Sequence, residues 1–116
     1  MKKLLLLIFL IVPLQAKAMD YLMVGRGGAS CGQFNQDIKQ SKQWEYIYFS
    51  WAEGYMSAIN ARNLDRYGES INLLPSSFDG LKQLKYLKTF CAISPDKMFI
   101  FAVANLFEQI NNGADQ

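Results

Sequence analysis

Two cysteines, Cys31 and Cys91, lie 60 residues apart in a chain whose opening reads as an export signal, and that combination constrains the fold more than any other feature. The chain begins Met1-Lys2-Lys3, continues with the apolar run Leu4 to Leu14, and then gives Gln15-Ala16-Lys17-Ala18. A positive start, a short apolar stretch and a small-x-small site is the order of a cleavable secretory signal, with cutting expected before Met19. The apolar run contains Pro13 and falls short of the roughly 20 residues a membrane span requires, so an uncleaved anchor is the weaker alternative. Residues 1–18 are therefore expected to leave as a signal peptide, and residues 19–116 to form one domain in the periplasm or outside the cell, with no membrane span after cleavage. In such a compartment thiols oxidise, and an even cysteine count favours one Cys31–Cys91 disulfide over two reduced thiols. Closing a loop of that length stabilises a fold by about 4 kcal/mol on chain-entropy grounds.

Removing the leader changes the charge that matters. The full chain carries 12 basic and 10 acidic residues. Lys2, Lys3 and Lys17 leave with the signal, which turns a net +2 into −1. A nearly neutral domain lacks the basic footprint of a nucleic-acid binder.

Helical periodicity dominates the rest. Val24 to Gly32 is rich in glycine and has neither the preceding strand nor the GKS or GKT of a phosphate loop, so it reads as a close-packed leader to the first helix. Ser30 is placed to cap that helix, which carries Cys31, Phe34 and Ile38 inward. A second helix is expected from Ser41 to about Asn63, with Trp44, Ile47, Tyr48, Trp51, Tyr55, Ala58 and Ile59 on an apolar stripe. Ser50, Gly54, Ala58 and Ala61 form a row of small residues beside it, expected to let another helix approach closely. Asn63 to Ser76 reads as a long polar connection, the kind of segment that is disproportionately functional.

A third helix is expected to open with Ser76 as cap and Asp79 completing a capping box, with Leu81, Leu84, Leu87 and Cys91 inward. Its Lys82, Lys85 and Lys88 share an outer sector, either a solvated face or a docking stripe for an acidic partner. The fourth helix is expected to begin at Ser94-Pro95-Asp96 and to run nearly all-apolar, either central in the fold or half-buried in an oligomer, until Asn111-Asn112-Gly113. The fold class that follows is all-α, a compact bundle of about four helices stapled by one disulfide.

Chemistry is conspicuous by omission. With no histidine anywhere, Ser-His-Asp and Cys-His nucleophile systems and His-liganded metals are excluded. Glu45, Glu53, Asp65 and Glu69 read as surface carboxylates rather than a catalytic pair. The expectation is a protein that is not an enzyme, with no cofactor or metal, acting by contact with a protein partner. Asp65, Arg66, Tyr67 and Glu69 are the candidate partner-binding residues, because Arg and Tyr are the types that anchor interfaces.

Three segments carry a resemblance: Ser30-Cys31-Gly32 before a short helix, Gly54-Tyr55-Met56-Ser57-Ala58 within a small-residue helix, and Phe90-Cys91-Ala92-Ile93-Ser94-Pro95 leading to a final apolar helix. Together they resemble small exported bacterial proteins of the Rap1a/Tai immunity type, which protect against type VI secretion amidases. The chain departs from that family at Ala52, where a helix cysteine is common, so the family's disulfide topology does not transfer. The cysteine-to-proline order also resembles the HdeA/HdeB acid-stress chaperones of the periplasm. These likenesses imply helical, periplasmic and often dimeric proteins. The first implies a peptidoglycan-cleaving effector as partner, and the second implies unfolded clients at low pH. A structural subunit of an envelope assembly is a third, lesser alternative.

Overall fold

Ser30, in extended conformation, starts the first helix by accepting the Gln33 N–H on its hydroxyl at 3.0 Å. That helix, α1, spans Cys31–Gln40. After Ser41, whose hydroxyl caps the next element, α2 spans Lys42–Tyr67, α3 spans Gly80–Ile93 and α4 spans Phe99–Gly113. The structure, a computed structural model, describes residues 23–113. The leader through Ala18 and the expected start at Met19 lie outside the described residues. The architecture is the all-α bundle that the periodicity implied, and no strand forms among the described residues beyond a single bridge between Ser30 and Met98.

The core sits where three aromatic rings meet. Phe34 of α1, Tyr48 of α2 and Phe99 of α4 are fully buried, with centroids about 5 Å apart and two of the three pairs edge-to-face. Around them α4 supplies Ala102, Val103, Leu106, Phe107 and Ile110, and α3 supplies Leu87. Of the two places expected for α4, the central one is what its apolar sequence produces. Cys31 and Cys91 are bonded, with Cα atoms 4.7 Å apart, tying the start of α1 to the last turn of α3. Asn35 reinforces the join by donating to the Cys91 carbonyl at 3.0 Å.

The glycine-rich leader packs as expected, for a steric reason. Arg26–Gly28 form a 3-10 turn laid on Trp51, and a Cβ on Gly27 would come within 2.0 Å of the indole. Trp51 in turn donates to the Val24 carbonyl and stacks on Tyr55.

Four boundaries differ from the sequence reading. The second helix does not stop near Asn63; it continues to Tyr67, where Gly68 adopts the left-handed conformation (φ +67°) and gives its N–H to the Leu64 carbonyl. Ser76 does not cap α3. Ser76–Phe78 instead form a 3-10 turn, and Asp79 is the cap, accepting the Lys82 N–H at 3.0 Å. The fourth helix begins at Phe99 rather than Ser94-Pro95-Asp96, because that stretch is used elsewhere. Pro95 and Lys97 present their carbonyls to the N–H groups of Gly32 and Cys31, and Phe99 gives its N–H to Ala29. The junction thus satisfies the open start of α1 instead of starting a helix of its own. Finally, α4 runs through Asn111-Asn112-Gly113 instead of stopping there.

Two facial assignments also change. The row Ser50, Gly54, Ala58 and Ala61 faces solvent, and a Cβ on Gly54 would meet nothing within 4 Å. The face of α2 that packs is instead centred on Tyr48, Ala52 and Met56. On α3, Leu81 points outward at 80% exposure, while the inward place falls to Gln83, which is completely buried.

Candidate functional site

The residues singled out by sequence do not form a loop site. Asp65, Arg66 and Tyr67 belong to the last turn of α2, and Glu69 follows the Gly68 cap. All four are exposed, and the structure draws only two of them together. Tyr67 and Glu69 line a polar hollow of about 170 Å³ with Asn60, Asn63, Ser70 and Asn111, whereas Asp65 and Arg66 stand outside it.

The connection that follows is shorter and firmer than its composition implied. Asn60 on α2 clamps Ile71, donating to its carbonyl and accepting its N–H, both at 2.8 Å. Gln83 on α3 donates its amide to the carbonyls of Leu73 at 2.8 Å and Phe78 at 2.9 Å. Asn72 closes a local turn by accepting the Leu74 N–H, and Pro75 is buried. Two helix amides thus hold a segment with no secondary structure of its own as an ordered surface.

A second polar cluster lies in the core. Tyr48 donates to the Asp37 carboxylate at 2.7 Å, and Gln33 donates to its other oxygen at 2.7 Å. The Arg26 guanidinium lies 4.5 Å from the Trp44 ring centroid and 5.6 Å from that of Tyr48. Burial, together with the hydrogen bond to Asp37 and its charge, pushes the Tyr48 phenol up to about 12, with Arg26 partly opposing. A phenol that holds its proton so firmly is a structural donor. It fixes the Asp37 side chain and, through it, the packing of α1 on α2.

A further concavity lies on the outer side of α2 and α3. It is an open groove of about 570 Å³ lined by Lys42, Glu45, Tyr46 and Phe49 from α2 and by Asp79, Gly80, Leu81 and Leu84 from α3 and its cap. The α2 residues fall at steps of three and four, so they form one continuous wall. Gly80 lies against the Phe49 ring, and Lys88 forms an ion pair with Glu45 at the other end, so the two walls run antiparallel. Tyr46 is 74% exposed and Leu81 80%, an aromatic and a leucine flanking an apolar floor. Nothing in the sequence reading selected Tyr46 or Phe49. Their signal was a second apolar line on α2, three residues apart, beside the stronger stripe that builds the core.

Among the described residues no group of three or more His, Cys, Asp or Glu is placed to hold a metal ion, and no helix is long and apolar enough to cross a membrane. No family model matches the chain, and neither a curated protein nor a solved structure matches it.

Proposed function

We propose that the protein is a small exported binding module, immunity-like in action, that occludes a partner enzyme or effector of the cell envelope. The observation that carries this reading is the groove between α2 and α3: an open apolar surface presenting Tyr46 and Leu81, mounted on helices that the disulfide and the core hold rigid. Exposed apolar concavities of this kind are where protein contacts form, and aromatic side chains such as Tyr46 are the usual anchors. Tyr67 and Glu69, at the far end of the same helix, offer a second and more polar contact area. The leader supports an envelope location, and the Rap1a/Tai likeness supports a peptidoglycan-cleaving enzyme as the class of partner.

A second reading, an acid-activated chaperone, is favoured by Asp37. This carboxylate is buried and held by Tyr48 and Gln33, so the contact between α1 and α2 runs through a polar link inside the core. One experiment separates the two. The protein is mixed at neutral pH with a peptidoglycan hydrolase of the cell envelope, and hydrolysis is followed as the ratio rises. Loss of hydrolysis at an equimolar ratio is the expected result. Undiminished hydrolysis, with suppression of aggregation of many unrelated proteins below about pH 4, where carboxylates protonate, would replace the binding module with the chaperone.

A further inference from the structure

The polar hollow at the end of α2 is lined by side chains that are left without partners. Asn60, Asn63 and Tyr67 follow one another on α2 at steps of three and four, so they fall on one face, and Asn111 comes one turn after Phe107 on α4. Glu69, Ser70 and Ile71 close the remaining side, which the Asn60 clamp on the Ile71 backbone fixes against α2. Among the described residues, the side chains of Asn63, Tyr67, Glu69, Ser70 and Asn111 make no hydrogen bond or ion pair. Asn63 is half-buried, so its amide has given up part of its water with nothing in exchange. Phe107, 7% exposed, and half-buried Ile71 add a small apolar area, and Tyr67, 65% exposed, adds a ring that solvent reaches.

That inventory selects a ligand chemistry. The amides of Asn63 and Asn111 and the hydroxyls of Tyr67 and Ser70 donate as well as accept, and Glu69 adds a carboxylate. An ammonium group would use the acceptors and leave every donor unmatched. A phosphate or carboxylate would meet Glu69 with no Lys or Arg in the lining to offset the repulsion. A metal ion finds a single carboxylate there. What matches is a neutral group that both donates and accepts around an apolar face. We propose that the hollow is a carbohydrate subsite for one neutral sugar ring, its hydroxyls bonded to Asn63, Asn111 and Glu69 and its C–H face laid against Tyr67. The electron-rich face of an aromatic ring attracts the positively polarised C–H groups of a pyranose. At about 170 Å³ the hollow is well below the roughly 300–1,000 Å³ of pockets that enclose drug-sized ligands, so it seats one ring rather than a length of chain. A peptide backbone also donates and accepts, but it is read along a sheet edge or an extended cleft, and no strand borders the hollow among the described residues. The clamp and the core already hold the walls, so little ordering is left to be done on binding. This subsite goes beyond the occlusion of an enzyme and does not depend on it.

The test titrates the purified protein with a trimer of N-acetylglucosamine and with a trimer of glucose, followed by amide NMR. Saturable shifts with at least one of them are expected, confined to residues 60–71 and 107–113, with a dissociation constant of about 1 mM for a single seated ring. Asn63→Ala combined with Asn111→Ala removes two hydrogen-bonding amides and should weaken binding by about tenfold or more, with helical content and melting temperature at the parent values. Tyr67→Ala should lose binding to a similar extent, whereas Tyr67→Phe, which keeps the ring, should stay within about threefold of the parent. Triglycine and n-butylamine, offered at the same concentrations, should shift none of these amides. No saturable shift with either sugar up to tens of millimolar, shifts centred elsewhere on the protein, or indifference to the Asn63 and Asn111 substitutions would each overturn the proposal. Equal shifts from triglycine would replace it with a peptide site, and equal shifts from n-butylamine with a cation site. In each of those cases the occlusion of a partner enzyme would stand or fall on its own assay.

Discussion

Asn60 holds Ile71 with both ends of its amide, giving one hydrogen bond to the Ile71 carbonyl and taking one from its N–H, each at 2.8 Å. The arrangement copies, with a side chain, the paired bonding that a neighbouring strand would provide. It explains how the segment after Gly68 can be ordered with no regular structure, because its backbone groups have partners on a helix.

Replacing that amide should therefore loosen the connection more than it weakens the core. Asn60→Ala removes both bonds and leaves two partly buried backbone groups of Ile71 unmatched, a cost of about 1–3 kcal/mol. Limited proteolysis should move to residues 68–75, with cleavage there appearing well below the unfolding temperature. A variant as resistant as the parent would show that the clamp does not order the loop.

The contrast between Asn60 and Tyr48 shows what the sequence could and could not disclose. Tyr48, Phe34 and the apolar run of α4 were legible because burial imposes a period, and a period survives in the order of residues. The disulfide was legible from the export-like opening of the chain and an even cysteine count. The end of α2 was not, because Asn63 and Gly68 are both plausible stops, and only the backbone angle distinguishes them. The start of α4 failed for a related reason. Ser94-Pro95-Asp96 has the composition of a helix opening, but the carbonyls of Pro95 and of the following Lys97 are claimed by the start of α1, a contact made across more than sixty positions of chain. The groove was hidden because Tyr46, Phe49, Leu81 and Leu84 become one surface only when two helices are laid side by side.

The Cys31–Cys91 bond should be the principal covalent contribution to stability. Cys91→Ser is expected to cost about 2–5 kcal/mol, with the loss shared between the disulfide and the Asn35 contact to the Cys91 carbonyl if the last turn of α3 moves. Peptide mapping without reductant should recover the two cysteines in one linked pair. Free thiols in exported protein, or an unchanged denaturation midpoint in the variant, would refute the expectation.

Tyr48 should give the protein an alkaline limit. Its phenol is pushed up to about 12 in the folded state from an ordinary value of 10.0, so folding favours the neutral form. The associated stability is fully present below about pH 10 and is lost as the pH rises through about 12. A difference of that size corresponds to about 2–3 kcal/mol. Ultraviolet absorbance of tyrosinate should show one late tyrosine titrating together with unfolding. Tyr48→Phe should abolish the late step, and it should destabilise at neutral pH as well, because the buried Asp37 carboxylate loses a donor. Ordinary titration by every tyrosine would contradict the buried hydrogen bond.

Gly54 offers the sharpest test of which faces of α2 are free. Glycine in a helix interior is less favourable than alanine by about 0.5–1 kcal/mol, a cost that close packing against a neighbour can justify. The sequence suggested such a neighbour, since Ser50, Gly54, Ala58 and Ala61 lie along one line. The fold leaves that line in solvent, with open space where a Cβ on Gly54 would sit. Gly54→Ala should therefore stabilise the protein by about 0.5–1 kcal/mol, raising the denaturation midpoint with an unchanged slope. The sign is decisive. Destabilisation would mean that something covers the small-residue line in solution, and a second copy of α2 would then be the first occupant to test, by following the melting temperature over a range of protein concentrations. Stabilisation independent of concentration would confirm that the monomer leaves this face open.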